Sequence, residues 1–427
     1  MTATRNPTTT ARQPAGNYQA PSWLPPAHFR MDDLDISEAL VVDLALRHAS
    51  VRNVCTIHQL SDLMKLPLEI TEAVFRQLND QHYLDVKGMS GDDYIFTLNT
   101  TGRRLAAERA ITQRYAGPAP VSIRAYCDAV RSQTPGTAIN RETLRRVFSD
   151  IVLGDRVLDA LGPALISQRS IFLYGPSGTG KTTIAERLIR AHDDLIAVPW
   201  AVEVAGQIIM VADPAVHEPV ELPGVLVDPR WMLCRRPFVA VGGELVTSML
   251  DLQKDEASGA WTAPLQMKAN NGIFLIDDFG RQLMSPRDLL NRWIVPLDRR
   301  VDFLSFGSGG KFDIPFEMLV VFSTNLEPKE LDDEAFLRRI PNKILIKPVD
   351  AETFDAIFHL VAAASGLNHQ PEAAVELRNL CLKRSPDLRP CFPRDICTAI
   401  RAITMYEGRP TTILSQDLER AVDAYFI

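Results

Sequence analysis

Cysteine is scarce in this chain, with six in 427 residues. None stands in a C-x-x-C pair, and no His or Cys cluster has zinc-ligand spacing. That excludes a disulfide-scaffolded domain and the common zinc modules. Long apolar runs are missing too. A membrane-spanning helix needs about 20 consecutive apolar residues, whereas the longest runs here, such as residues 318–322, have the length of a buried strand. The first residues carry no apolar core of the signal-peptide kind. There is no excess of positive charge either: 46 Lys and Arg stand against 53 Asp and Glu, a formal charge of −7. No global field therefore draws the chain onto nucleic acid or an anionic membrane. The thiols are expected to be reduced and the chain cytoplasmic. Apolar residues make up 46% and charged ones 23%, an ordinary globular balance, and the length allows roughly two to four domains.

Residues 1–30 are rich in Thr, Pro and Ala without periodicity, and read as a disordered arm. Residues 36–48 place Leu40, Val41, Leu44 and Leu46 at helical spacing. A short helix follows Thr56, a candidate N-cap. Pro67 opens a third helix over 67–82, with Ile70, Val74, Phe75 and Leu78 on one face. Strand-like runs at 83–86 and 94–98 flank a turn-rich tip, and another helix starts near Thr101. Three helices followed by a two-stranded wing resemble a winged-helix domain over 31–111. In a DNA reader the third helix would enter the major groove. Over 33–110, however, twelve acidic residues face eight basic ones, and phosphate contacts need basic side chains. A protein-docking role is favoured. Residues 112–140, bounded by Pro and Gly, read as a linker with a short helix at 121–131.

The chemistry begins after residue 141. Residues 170–174 form an apolar run of buried-strand type. Gly175, Pro176, Ser177, Gly178, Thr179, Gly180, Lys181, Thr182 and Thr183 follow, and then a helical stretch. This is G-x-x-x-x-G-K-[ST] in the strand–loop–helix context that gives the motif its meaning. The glycines let backbone N–H groups approach phosphates. Lys181, on a loop expected to face solvent, would reach the β and γ phosphates, and the Thr182 hydroxyl would ligate Mg²⁺. A second apolar strand, 272–276, ends in Asp277 and Asp278. Asp277 would hold Mg²⁺ through water, and Asp278 would orient the attacking water. A third, 318–322, ends in Ser323, Thr324 and Asn325, and Asn325 would position water beside the γ-phosphate.

These ordered motifs resemble the AAA+ ATPases over roughly 141–427. The resemblance implies an α/β P-loop domain at 141–347, its parallel sheet flanked by helices, under a helical lid at 348–427. It also implies ATP and Mg²⁺ as cofactors. Residues 148–152 look like the segment that packs on adenine, with Ile151 and Val152 at the base. Asp277 and Asp278 are similar to the Walker B pair, with Asp where most members have Glu. Asn325 matches sensor 1. Residues 333–340 look like the arginine-finger segment, with Arg338 or Arg339 reaching a neighbouring subunit's γ-phosphate. Pro393-Arg394-Asp395 resembles sensor 2, with Arg394 on the γ-phosphate.

More than eighty residues separate the P-loop from Asp277, and within them 202–211 read as a hairpin. A second hairpin, around Phe306-Gly-Ser-Gly-Gly310, precedes Asn325. A hairpin there looks like the group that includes MoxR-type and enhancer-binding ATPases, in whose rings hairpins project toward the pore. The reading is therefore an ATPase that forms a homo-oligomeric ring, a hexamer by first choice, and remodels a protein partner. Two alternatives stay open. One is a DNA-associated ATPase of transcription, replication or transposition; the other is a slow, ATP-gated scaffold.

Overall fold

A computed structural model describes residues 21–135, 139–307, 309–331 and 334–426. Residues 1–20 of the expected arm lie outside these. Residues 21–30 depart from the expectation of disorder. Trp23 meets Trp231 edge-on with ring centroids 5.5 Å apart. Trp23 and Leu24 pack on a buried cluster that contains Val198 and Trp231. Their partners lie far along the chain, where local periodicity gives no hint of them.

In the next stretch the local rules hold. Helix α1 (Glu38–Arg52) starts at Ser37, whose hydroxyl accepts the Leu40 N–H. Strand β1 (Cys55–Thr56) leads into α2 (Ile57–Met64), where Thr56 and Gln59 form a reciprocal capping box. Helix α3 (Leu68–Asp80) buries Ile70, Val74, Phe75 and Leu78. Strands β2 (Leu84–Ser90) and β3 (Asp93–Leu98) pair antiparallel and turn through Gly91 and Asp92, so they are longer than the sequence pattern indicates. Strand β1 joins β3 on its other edge. Helix α4 (Thr100–Thr112), capped by the Asn99 side chain, lies along α1.

The segment expected as a linker is built into the body instead. Strand β4 (Val121–Ser122) pairs in parallel with Val202 and Glu203. Helix α5 (Ile123–Ser132) buries Tyr126. The Tyr126 hydroxyl donates to the Met267 carbonyl at 3.2 Å and accepts from the Asn270 amide at 2.8 Å. The side chain of Asn271 donates to the Val130 carbonyl. Pro and Gly at its ends made this segment look like a connector, but its buried partners lie 64 to 144 residues later.

Helices α6 (Arg141–Val147) and α7 (Asp155–Ser167) precede β5 (Ile171–Tyr174). After the glycine-rich loop, α8 (Lys181–Arg187) runs into a 3₁₀ turn. Then come β6 (Leu195–Pro199), β7 (Ala201–Val204), β8 (Gln207–Met210), β9 (Trp231–Arg235), β10 (Phe238–Val241), β11 (Gln253–Lys254) and β12 (Trp261–Thr262). β7 and β8 form the hairpin expected at 202–211, turning at Ala205 and Gly206. Helix α9 (Leu265–Lys268), β13 (Ile273–Ile276) and α10 (Pro286–Arg299) follow. The second expected hairpin is β14 (Val301–Ser305) with β15 (Lys311–Pro315); β16 (Leu319–Thr324), α11 (Glu334–Leu337) and β17 (Asn342–Leu345) come next.

The main sheet is wholly parallel, in the order β10-β13-β16-β5-β17. Its inner strands β13 and β16 are buried on both faces, as flanking helices require, while the edge strands β10 and β17 are partly exposed. Phe274 of β13 meets Trp293 of α10 edge-on at 5.1 Å, and burial of a side chain this large contributes about 1.5–3 kcal/mol. A second five-stranded sheet has the order β11-β12-β8-β7-β4. The hairpin of β14 and β15 lies against that sheet's core: Leu304, Phe306 and Ile314 are buried there, and Phe306 packs on Trp261. Its other face carries Phe303, 44% exposed, under the Lys311 ammonium.

Four helices close the chain: α12 (Ala351–Ala364), α13 (Glu372–Arg384), α14 (Cys391–Tyr406) and α15 (Ser415–Tyr425). They share a core with Phe354, Leu377, Ile396 and Leu418 at its centre. The fold is α/β, a parallel sheet flanked by helices with a helical unit at its C-terminal end. No described helix is long and apolar enough to cross a membrane.

One buried guanidinium joins three of these pieces. Arg230 donates to Asp228, to Asp35 ahead of α1 at 2.7 Å, and to the Pro120 carbonyl beside β4. Asp35 also accepts the Ser122 N–H. Burial alone would raise the Asp35 carboxyl, but the charge and hydrogen bonds of Arg230 and Ser122 outweigh it and hold the group below its ordinary value. Arg230→Ala leaves Asp228 buried and unpaired, and should cost about 3–5 kcal/mol in urea denaturation. A depressed carboxyl stabilises the fold above its ordinary value and ceases to as pH falls through its folded one. The gap between wild type and variant should therefore shrink in acid; a gap constant with pH would show that Asp35 is not held by this arginine.

Candidate functional site

Strand β5 ends at Tyr174, and the chain turns through the loop from Gly175 to Gly180. Gly175, Gly178 and Gly180 have φ of 139°, 78° and 88°. At Gly175 a Cβ would stand 2.2 Å from the Ile346 carbonyl oxygen, so only glycine fits. Gly180 caps α8 without a side chain, which leaves the first N–H groups of the helix to other acceptors. The Thr179 hydroxyl braces the loop by donating to the Pro176 carbonyl at 2.9 Å. Ser177 is exposed and Thr183 half-buried.

Lys181 does not face solvent as the sequence implied. It is 7% exposed. Its Nζ donates to the Gly175 and Pro176 carbonyls, both at 2.9 Å, and to Asn325 Oδ1 at 2.7 Å. Burial draws its pKa below the ordinary value, against the pull of Asp278 and Asp277.

Asp277 follows β13, and its N–H donates to the Val241 carbonyl at the end of β10. The Thr182 hydroxyl lies 2.9 and 3.0 Å from its two carboxylate oxygens. A hydroxyl and a carboxylate held side by side are hard oxygen donors of the kind Mg²⁺ takes, so the donor set fits that ion. Asp278 is exposed, with φ of 46°. Next to it, the Phe279 N–H donates to the Ser323 carbonyl at 2.8 Å, and the Thr324 hydroxyl to the Phe279 carbonyl at 2.7 Å. The ends of β5, β13 and β16 thus bring together two hydrogen-bonded pairs on successive residues, Lys181 with Asn325 and Thr182 with Asp277, at the carboxyl edge where open parallel sheets bind ligands.

The remaining residues singled out by sequence have settings of their own. Ile151 and Val152 are half-buried in the turn between α6 and α7. Asp150 beside them receives two 3.0 Å bonds from the Arg187 guanidinium, which fastens that turn to α8. Arg338 is exposed just beyond α11. Arg339 is half-buried with its guanidinium 3.9 Å from Asp298 of α10. Arg394 is 68% exposed along its side chain and donates to Asp395. One turn earlier on α14, the Cys391 N–H donates to the Gly178 carbonyl at 3.3 Å, so the C-terminal helical unit rests on the loop itself.

Sequence reasoning missed two residues here. Cys391 packs on Gly178 so closely that a Cβ at 178 would lie 2.5 Å from its sulfur. Gln282 folds back onto the turn that holds Asp277 and Asp278. Neither carries a motif; the glycine at 280 was the one local sign of a tight turn there.

A family model described as Domain of unknown function (DUF8689) matches residues 350–424, the C-terminal helical unit. No curated protein matches. Among solved structures, RuvB of Thermotoga maritima, titled a Holliday junction branch migration motor, is 15% identical. It aligns over 68% of this chain and 72% of its own, with a TM-score of 0.36. A mutant of the same protein gives 13% identity over 65% and 72%, with a TM-score of 0.40. NtrX from Brucella abortus is 14% identical over 76% of this chain and 61% of its own, with a TM-score of 0.40. Overlap at this level says nothing about activity.

Lys181→Ala strips a partner from two carbonyls and one amide, so a stability loss of about 1–3 kcal/mol is expected. Urea denaturation checks this; an unchanged midpoint would place the ammonium in solvent.

Proposed function

We propose that the chain is a Mg²⁺-dependent ATPase of the AAA+ kind, working as a homo-oligomeric ring on a protein partner. One observation carries the reading. Lys181 and Thr182, successive residues beside a glycine-shaped loop, are hydrogen-bonded to Asn325 after β16 and to Asp277 after β13. Loop amides and Lys181 would bind the phosphates, with Lys181 exchanging its present acceptors for phosphate oxygens. Thr182 and Asp277 would hold Mg²⁺, which supplies charge stabilisation for the transferred phosphoryl group. Asp278 would accept a proton from the attacking water, and Asn325 would help to place that water.

The ring rests on the arginines. Arg339 is drawn toward its own Asp298, which leaves Arg338, exposed at the margin of the α/β body, as the residue to meet a neighbour's phosphate. A guanidinium suits the task because its charge is permanent and its fork pairs with two oxygens. The N-terminal unit places three helices ahead of a two-stranded hairpin, an order in keeping with a winged-helix reading, and its third helix exposes Glu69 and Asp80 while Arg76 is paired with Glu72. Val86, Met89 and Tyr94 are exposed on the wing. An acidic, partly apolar surface suits a protein partner better than a phosphate backbone.

Three variants test this. Lys181→Ala should lose ATP binding. Asp278→Asn should keep ATP and lose all but a small residual turnover. Arg338→Ala should keep ATP and lose roughly 10³-fold or more in rate. Mixing Arg338→Ala with Lys181→Ala protein should restore some activity, because an intact loop can then meet an intact arginine. Turnover independent of protein concentration, without rescue on mixing, would mean that each chain completes its own site.

A further inference from the structure

Gln282 has no part in the roles above, yet its side chain closes the turn that carries both acidic residues. Its Oε1 accepts the Gly280 N–H at 2.8 Å. Its Nε2 donates to the Asp277 carbonyl at 2.8 Å and the Asp278 carbonyl at 3.2 Å. The turn needs such a clamp. Asp278 sits at φ 46°, a left-handed conformation that side chains rarely adopt. Gly280, at φ 103°, lies where a Cβ would come within 2.6 Å of Leu326. Conformations of this kind persist only where the surroundings over-determine them.

The two flanks of the turn are held differently. Phe279 is buried edge-on to Phe322 at 5.2 Å, and its backbone is tied to Ser323 and Thr324. That grip comes from β16. On the other flank the side-chain grip on the Asp278 carbonyl is Gln282. A primary amide offers a donor and an acceptor on one planar head, which is what two carbonyls and one N–H of the same turn require.

We infer that Gln282 is a positioning residue: it fixes the backbone from which the Asp278 carboxylate projects, and so the direction in which that carboxylate meets the attacking water. The inference rests on the ATPase reading above. Gln282 touches neither phosphate nor metal in this role. A relaxed turn leaves nucleotide binding to the loop and Lys181 but lets the carboxylate drift, and a misplacement of about 1 Å can cost on the order of a hundredfold in rate.

The test uses the full chain with Gln282→Met, which keeps the length of the side chain and drops its amide, and Gln282→Ala beside it. Without nucleotide, hydrogen exchange at the Gly280 amide should quicken by about tenfold or more in Gln282→Met while the β13 amides hold. Affinity for a fluorescent ATP analogue should stay within about twofold, while kcat falls roughly tenfold to a hundredfold. In an Asp278→Asn background the same substitution should lower the residual rate by less than about twofold, because both changes act through one group. Unchanged exchange at Gly280, an intact kcat, a parallel loss of nucleotide affinity, or independent losses in the double variant would each overturn the inference. A wild-type chain without Lys181-dependent turnover would remove the ATPase reading and this inference with it, and that result appears before any Gln282 variant is compared.

Discussion

The ammonium of Lys181 sits where separately folded pieces meet, and most of the site follows from what a buried charge demands. A cation taken from water needs acceptors on every side and a counter-charge nearby. The carbonyls of Gly175 and Pro176 and the side chain of Asn325 supply the first. Asp277 and Asp278, at the end of β13, supply the second. The need is mutual, since two adjacent carboxylates at one strand tip repel each other unless a cation stands by. Lysine, carboxylates and amide therefore form one electrostatic unit, and the parallel register of β5, β16 and β13 aligns its parts.

What could be read from the sequence divides along physical lines. The loop was legible because its backbone conformation is written into residue identity: Gly175, Gly178 and Gly180 are where positive φ occurs. Strands β13 and β16 were legible as unbroken apolar runs, which only a sheet covered on both faces explains. Caps such as Thr56 depend on neighbours three residues away and were equally plain. The burial of Lys181 was not, because Asn325 lies 144 residues from it. The linker failed for the same reason. Val121 and Ser122 make a strand only because β7 lies beside them, and Tyr126 is core only because Asn270 donates to its hydroxyl and the Met267 carbonyl accepts from it. Trp23, in a stretch of low complexity, packs on the core through Trp231.

The two ends of the chain attach to the sheet in unlike ways. The N-terminal unit is held through Arg230, whose donors reach Asp35, Asp228 and the Pro120 carbonyl in a buried setting. A second buried arginine, Arg236, ties Asp194 of the insertion to the Asn271 and Gln133 carbonyls. Paired, buried guanidinium groups are costly to separate, so this end moves with the body. The C-terminal unit has its own core and meets the glycine-rich loop through one backbone hydrogen bond from Cys391. Cys391 and Arg389 also pack beside Gly178, so the unit meets the loop at the start of α14.

The contact of Gly178 with Cys391 bears on how this protein can diverge. The two positions lie in different structural units and share no local pattern, yet the space beside one is filled by the sulfur of the other. A larger residue at 178 would have to adopt a left-handed backbone and would also collide with the thiol. A bulkier residue at 391 would press on the loop or lift the helical unit away from it. Descendants of this chain should therefore change these two sites in step, with glycine at 178 kept for as long as a side chain of this size remains at 391. The start of α14 would drift in sequence more slowly than the exposed helix surfaces that follow it.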